Sequence, residues 1–168
     1  MKRQKKKYSK PTKPYDKERI EREKVLLKEF GLNRKKELWG AEALLRKYRR
    51  QARELAASRD EKKEKILIDK LVRHGILNSG ATLDDVLSLN VKNFLERRLA
   101  SLIFKRGLVN SVRQARQFVS HGHVSIGGRK IVYPGYLVKA TDENRISVEG
   151  GKTIASPDIP NKGDEIGG

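Results

Sequence analysis

The chain has 168 residues, no cysteine, and 39 Lys+Arg against 21 Asp+Glu, a net charge of +18. The missing cysteines exclude disulfides, thiolate catalysis and Cys-based zinc fingers. Such a cationic excess repels itself in a compact state and calls for a polyanion, of which nucleic acid is the commonest. No long apolar run, signal peptide or lipidation signal is found, so a membrane partner is not expected and a cytoplasmic location is. Apolar residues are 36% of the chain, low for a globular protein, which predicts a thin core with extended arms.

Residues 1–14 carry seven Lys and Arg and no acid. The lysine run self-repels, and Pro11 and Pro14 break a helix, so residues 1–15 read as an extended basic arm. Its cations, with Arg3, Lys5, Lys6, Lys7 and Lys10 foremost, suit a nucleic-acid groove. Because the arm adds nothing to a core, its loss is expected to leave the fold intact.

Residues 16–90 read as a helical domain. Asp16 caps a helix running to about Phe30, with Gly31 as its stop. The next helix, from about Asn33 to Ala57, has an apolar stripe of Leu38, Ala41, Leu45, Tyr48, Ala52 and Leu55. Arg46, Arg49, Arg50 and Arg53 share a separate face, interrupted by Glu42, and suit RNA phosphates. Asp60 caps a third helix to His74, stopped by Gly75. Thr82 opens a short helical turn to Leu89, with Asp85 assisting the cap.

Residues 91–149 read as a compact second domain, and residues 150–168, rich in Gly, Pro and Asp, as a flexible tail. Asn90 caps one predicted helix from Val91 to Lys105. Arg97 points away from its apolar stripe and Arg98 lies at its edge. A further helix spans about 111–121 and stops at Gly122. On it Arg113, Arg116, Gln117 and Ser120 follow i, i+3, i+4, i+7 spacing, while Val112, Ala115, Phe118 and Val119 turn to the other side. Two guanidinium groups, an amide and a hydroxyl on one face suit phosphate oxygens and base edges. Arg116 is expected to matter more to RNA affinity than Arg129, which follows two glycines in a turn. Past Gly122 the period becomes two. Val124 to Ile126, Ile131-Val132, Tyr136 to Val138 and Arg145 to Val148 read as strands, with turns at Gly127-Gly128, Pro134-Gly135 and Thr141 to Asn144.

The stretch Phe94 to Leu99 (FLERRL) together with ARQ at 115–117 and VSHGHV at 119–124 resembles the α-L RNA-binding module, here covering about Phe94 to Val148. With the stretch Lys10 to Trp39, the chain is similar to the ribosomal S-four family of the small subunit, in its archaeal and eukaryotic branch. The resemblance covers roughly residues 1–150. It implies an α+β fold: the arm and helical domain, then two helices packed on a short antiparallel ribbon. It also implies a primary binder of small-subunit ribosomal RNA that grips a multi-helix junction early in assembly. Such a protein contributes to the messenger-RNA entry region and translational accuracy beside neighbouring ribosomal proteins, including the one numbered five. By position, Arg97, Arg98, Ser111, Arg116, Gln117, Ser120, His121 and Gly122 match the RNA-facing motif. Lys105, Arg113, Arg129 and Lys130 add cations to the same module. Where the module often has Arg directly after the Ser at 111, this chain has Val112, with Arg113 one step on. Where it usually has Asn, this chain has Gly127.

The same module is appended to RNA-modifying enzymes, but those need a catalytic domain with a pocket. The remaining charged helices offer no phosphate-cradling Gly-rich loop and no nucleophile–base pair. His121 and His123 lack a third ligand for a metal, and His121 is read as an RNA contact, by donor nitrogen or by stacking. Trp39 and Tyr48 are read as core. No enzyme activity, cofactor or metal is expected. A free-standing assembly or rescue factor with this module is the alternative reading.

Overall fold

The computed structural model describes residues 6–150. Arg3, Lys5 and the tail from residue 151 lie outside that range. Helices α1 (Lys17–Glu29), α2 (Lys35–Ser58) and α3 (Glu61–Arg73) come first, then α4 (Leu83–Ser88), α5 (Val91–Glu96), α6 (Leu99–Lys105) and α7 (Val112–Ser120). Strands β1 (Val124–Ile126), β2 (Arg129–Lys130) and β3 (Ile146–Val148) form an antiparallel sheet in the order β2-β1-β3. A 3-10 helix, Ala140–Arg145, leads into β3. The architecture is α+β, as the resemblance implies.

Most helix ends sit where short polar residues and glycines put them. The Asp16, Asp60 and Ser111 side chains accept from the backbone N–H three residues on. Thr82 with Asp85 forms a reciprocal capping box. Gly31, Gly75, Gly107 and Gly122 follow α1, α3, α6 and α7 with positive φ, which costs glycine nothing.

Three apolar clusters hold the chain together. The first packs α2, α3, α4 and α5 through Leu45, Tyr48, Ala52, Leu67, Leu71, Val86, Leu89 and Phe94. The second joins the end of α1 and the start of α2 to α5 through Phe30, Leu32, Leu38 and Leu95. The third lies between α6, α7 and the sheet, with Leu99, Leu102, Ile103, Ala115, Val119, Val124 and Ile146. Adjacent Phe94 and Leu95 thus serve two clusters, and α5 ties the helical half together.

The predicted single helix from Val91 to Lys105 is two. Arg98 adopts an extended backbone (φ −73°, ψ 144°) and starts α6. Its segment pairs with residues 136–138 instead: Leu99 donates to the Tyr136 carbonyl at 2.8 Å, and Val138 to the Arg97 carbonyl at 3.1 Å. Those bonds explain both departures. Tyr136 to Val138 finds its partner in the helix break, not in the sheet. The expected turn at Thr141 to Asn144 is the 3-10 helix.

Gly75 is required twice over. Its φ is +63°, and an added Cβ would lie 3.0 Å from the Arg97 guanidinium carbon. Gly75→Ala is expected to lower stability by more than the ~1–2 kcal/mol of left-handed strain alone. The control is Gly80→Ala, at φ +88° with nothing within 4 Å. Equal urea midpoints for the two variants would refute the contact.

Candidate nucleic-acid interface

α7 docks by its apolar side. Ala115 and Val119 are fully buried, while Arg113, Gln117, Ser120 and His121 are exposed. The exposed row is the face that the spacing predicts, except that Arg116 is half-buried. Lys105, Arg129 and Lys130 are exposed too, on α6 and the β1–β2 hairpin. Gly122 (φ +79°) makes the turn that leads from α7 into β1. Ser111 has a local job: its hydroxyl accepts from the Gln114 N–H at 3.2 Å, holding the start of α7.

The arginines divide in a way that helical spacing does not reveal. Arg116 is not a free donor on the exposed row. Its two terminal nitrogens bind both oxygens of Glu37 at 2.9 and 3.0 Å. Arg98 donates to the same carboxylate at 2.7 Å, and only 10% of its side chain is exposed. Two arginines from the α-L module therefore close on one acid of α2. Burial pushes the Glu37 carboxyl up, but the bonds from Arg116 and Arg98 outweigh it and hold it below the ordinary value. Arg97 is likewise turned inward: it pairs with Glu143 at 2.9 Å and lies against Gly75. In each case the reason is the same. A guanidinium drawn toward a core needs a carboxylate beside it.

On α2, Arg53 is exposed, and Arg46 and Arg50 are exposed while paired along the helix with Glu42 and Glu54. Such exposed pairs are weak and yield readily to a phosphate. Arg49 differs: it is half-buried and donates to the Leu89 carbonyl, so it braces the loop after α4. The four-arginine face is in fact a three-arginine face.

The arm is partly docked. Tyr8 packs on Trp39 with ring centroids 6.0 Å apart, and Arg46 donates to the Ser9 hydroxyl at 3.2 Å. Arg19 holds the carbonyls of Lys13 and Pro14 at 2.9 and 3.0 Å. Exposed Lys6, Lys7 and Lys10 are thereby brought to the α2 surface. An arm deletion reaching residue 14 removes these interactions, contrary to the reading of the arm as independent of the fold.

Sequence reasoning missed two acids and a cationic seam. Glu23 on α1 is buried, accepts from Trp39 Nε1 at 3.0 Å and pairs with Arg19 and with Lys35 at 3.1 Å. Burial raises its carboxyl, yet these bonds hold it below the ordinary value. Glu37 carried a signal, since it sits beside Leu38 and four residues before Ala41, at the edge of the apolar stripe. At the end of α3, burial, then Lys70, Lys139, Arg97 and Arg73, keep His74 below the usual histidine range. That seam joins α3 to the start of the 3-10 helix. Among the described residues no group of three or more His, Asp or Glu is placed to hold a metal, and no helix is long and apolar enough to cross a membrane.

The S4 domain family model matches residues 97–144, from the helix break to the 3-10 helix. Beyond it, the chain is 46% identical over 157 residues to the small ribosomal subunit protein uS4 of Thermoplasma acidophilum, covering 90% of this chain and 79% of that protein. It is 49% identical over 144 residues to the uS4 protein of Methanothermobacter thermautotrophicus, covering 84% of each. For the Ignicoccus hospitalis uS4 protein the identity is 48% over 144 residues, covering 84% of this chain and 87% of that protein. The likeness extends through the helical half that the domain model does not reach, and by it this chain belongs to the uS4 family of small ribosomal subunit proteins.

Proposed function

We propose that the chain is a structural constituent of the small ribosomal subunit and binds small-subunit ribosomal RNA. Near-full-length identity to proteins named for that subunit carries this reading. The +18 charge and the exposed polar row of α7 support it in physical terms. The protein does no bond chemistry. Exposed Arg46, Arg50, Arg53, Lys105, Arg113, Arg129, Lys130 and the arm lysines neutralise phosphates, while Gln117, Ser120 and His121 offer groups suited to bases.

Arg98 and Arg116, through Glu37, hold the α-L module against the helical half, so that both surfaces meet the RNA together. That geometry suits a junction of several RNA helices gripped early in assembly. Neighbouring ribosomal proteins, including the one numbered five, and messenger RNA at the entry channel are the further partners of this reading. Its place of work is the ribosome, in the cytoplasm.

Sedimentation with small subunits tests it. One copy per subunit, retained through a high-salt wash, is the expected result. Recovery only in the soluble pool would favour a free-standing factor.

A further inference from the structure

Beside the exposed row of α7 lies a shallow cleft of about 590 Å³, lined by Gln114, Gln117, Phe118, His121, His123 and Glu149. No arginine or lysine lines it. Its groups are two imidazoles, a phenyl ring, two amides and a carboxylate.

The backbone positions the rings. Past Gly122, His123 is held at both polar atoms: its N–H donates to the Phe118 carbonyl at 3.0 Å, and its carbonyl accepts from the Glu149 N–H at 2.8 Å. The His121 and His123 rings stand 6.4 Å apart, centroid to centroid, at 26°. Phe118 meets His123 edge-on at 5.6 Å.

The polar groups are poor partners for phosphate and good ones for a base edge. The Gln114 side-chain oxygen already accepts from the Asn110 N–H at 2.9 Å. Gln117 is exposed on the next turn. The Glu149 carboxylate, paired with Lys130 at 3.5 Å and 62% exposed, repels a phosphate but accepts from an amine. An amide that accepts and donates side by side fits adenine, and a carboxylate fits an exocyclic amine.

We propose that this cleft takes one unstacked RNA base bearing an exocyclic amine, adenine above all, stacked on His121 and His123 and read by Gln117 and Glu149. The site rests on the reading of the chain as an RNA binder and adds base selection to it. Phe118, His123 and Glu149 enter the binding surface as new members.

The test uses the full chain and short single-stranded RNAs at one salt concentration. These are oligouridines of about a dozen nucleotides with adenosine, uridine or purine riboside at one central position. Adenosine is expected to bind about ten-fold tighter than uridine, a factor in the range of one stacked base. Purine riboside, which lacks the amine, is expected between them. His123→Ala should bring adenosine to the uridine level without changing the salt dependence, since every phosphate partner is kept. His121→Ala, on an exposed residue, repeats the test should the first variant fail to fold. Gln117→Ala should narrow the distinction between adenosine and purine riboside, and Gln117→Ala with Glu149→Ala should remove it. Equal affinity for all three RNAs with a steep salt dependence would overturn the cleft and leave the RNA-binding reading standing. No RNA binding by the folded protein would overturn both.

Discussion

Glu37→Gln is expected to destabilise the free protein by about 3 kcal/mol, at the lower end of the range for breaking a buried ion pair. The substitution removes the negative charge and one of the two acceptor oxygens between two guanidinium groups, and sets an amide N–H against them. Arg98 has 10% of its side chain exposed and Arg116 has 22%, so water cannot replace the missing carboxylate fully. Arg116→Ala is expected to cost less, about 1–2 kcal/mol, because Glu37 keeps Arg98. The comparison also has a pH signature. Glu37's pKa is lowered by folding, so its stabilising contribution is present above the ordinary glutamate value of 4.5 and is lost as pH falls through the lower folded value. Glu37→Gln removes that part of the acid sensitivity, and the part due to Glu23 persists. Urea melts at neutral pH and in mild acid check both points. A variant as stable as the parent at neutral pH would show that the triad is not what joins the two halves. Arg116 remains more important than Arg129 on this view, but as a measured loss of stability more than of RNA affinity.

RNA affinity is expected to fall with salt at a log–log slope of magnitude about 4 or more. That slope corresponds to six or more phosphates neutralised, at roughly 0.7 each for single strands. It amounts to roughly two orders of magnitude in affinity between 50 and 200 mM salt. Replacing Arg46, Arg50 and Arg53 together by Gln should lower the slope by about 2, because three phosphates are then left without a cation. Melting temperature should hold nearly constant, because among the described residues their intramolecular partners are exposed or local. Arg49 is left out deliberately: its bond to the Leu89 carbonyl makes Arg49→Gln a stability variant. Filter binding across a salt series gives the slope. A flat dependence would rule out phosphate neutralisation as the source of affinity.

Several features of this protein could be read from local sequence because local physics governs them. Asp16, Asp60, Thr82 and Ser111 each offer a side-chain oxygen to backbone N–H groups within a few residues, and the helices begin there. Glycines tolerate the positive φ that ends α1, α3, α6 and α7. The split of α7 into a buried side at Ala115 and Val119 and an exposed side at Gln117 and Ser120 follows from 3.6 residues per turn. The net charge and the module's motif pointed to RNA without any structure.

Tertiary structure decided the rest, and the reason is that carboxylates and carbonyls distant in sequence compete for the same donors. Arg116 lies 79 residues from Glu37 and Arg97 lies 46 from Glu143, so no helical spacing identifies either partner. On spacing alone Arg113 and Arg116 look alike, but one is exposed and the other is bound to α2. The break between α5 and α6 has the same origin. The backbone around Arg98 leaves the helix because residues 136–138 offer bonds that exist only once the chain has folded back. Composition and periodicity thus set the elements and the class of partner. The folded chain determined which cations are free for RNA and which hold its two halves together, because that choice depends on which acid each arginine reaches.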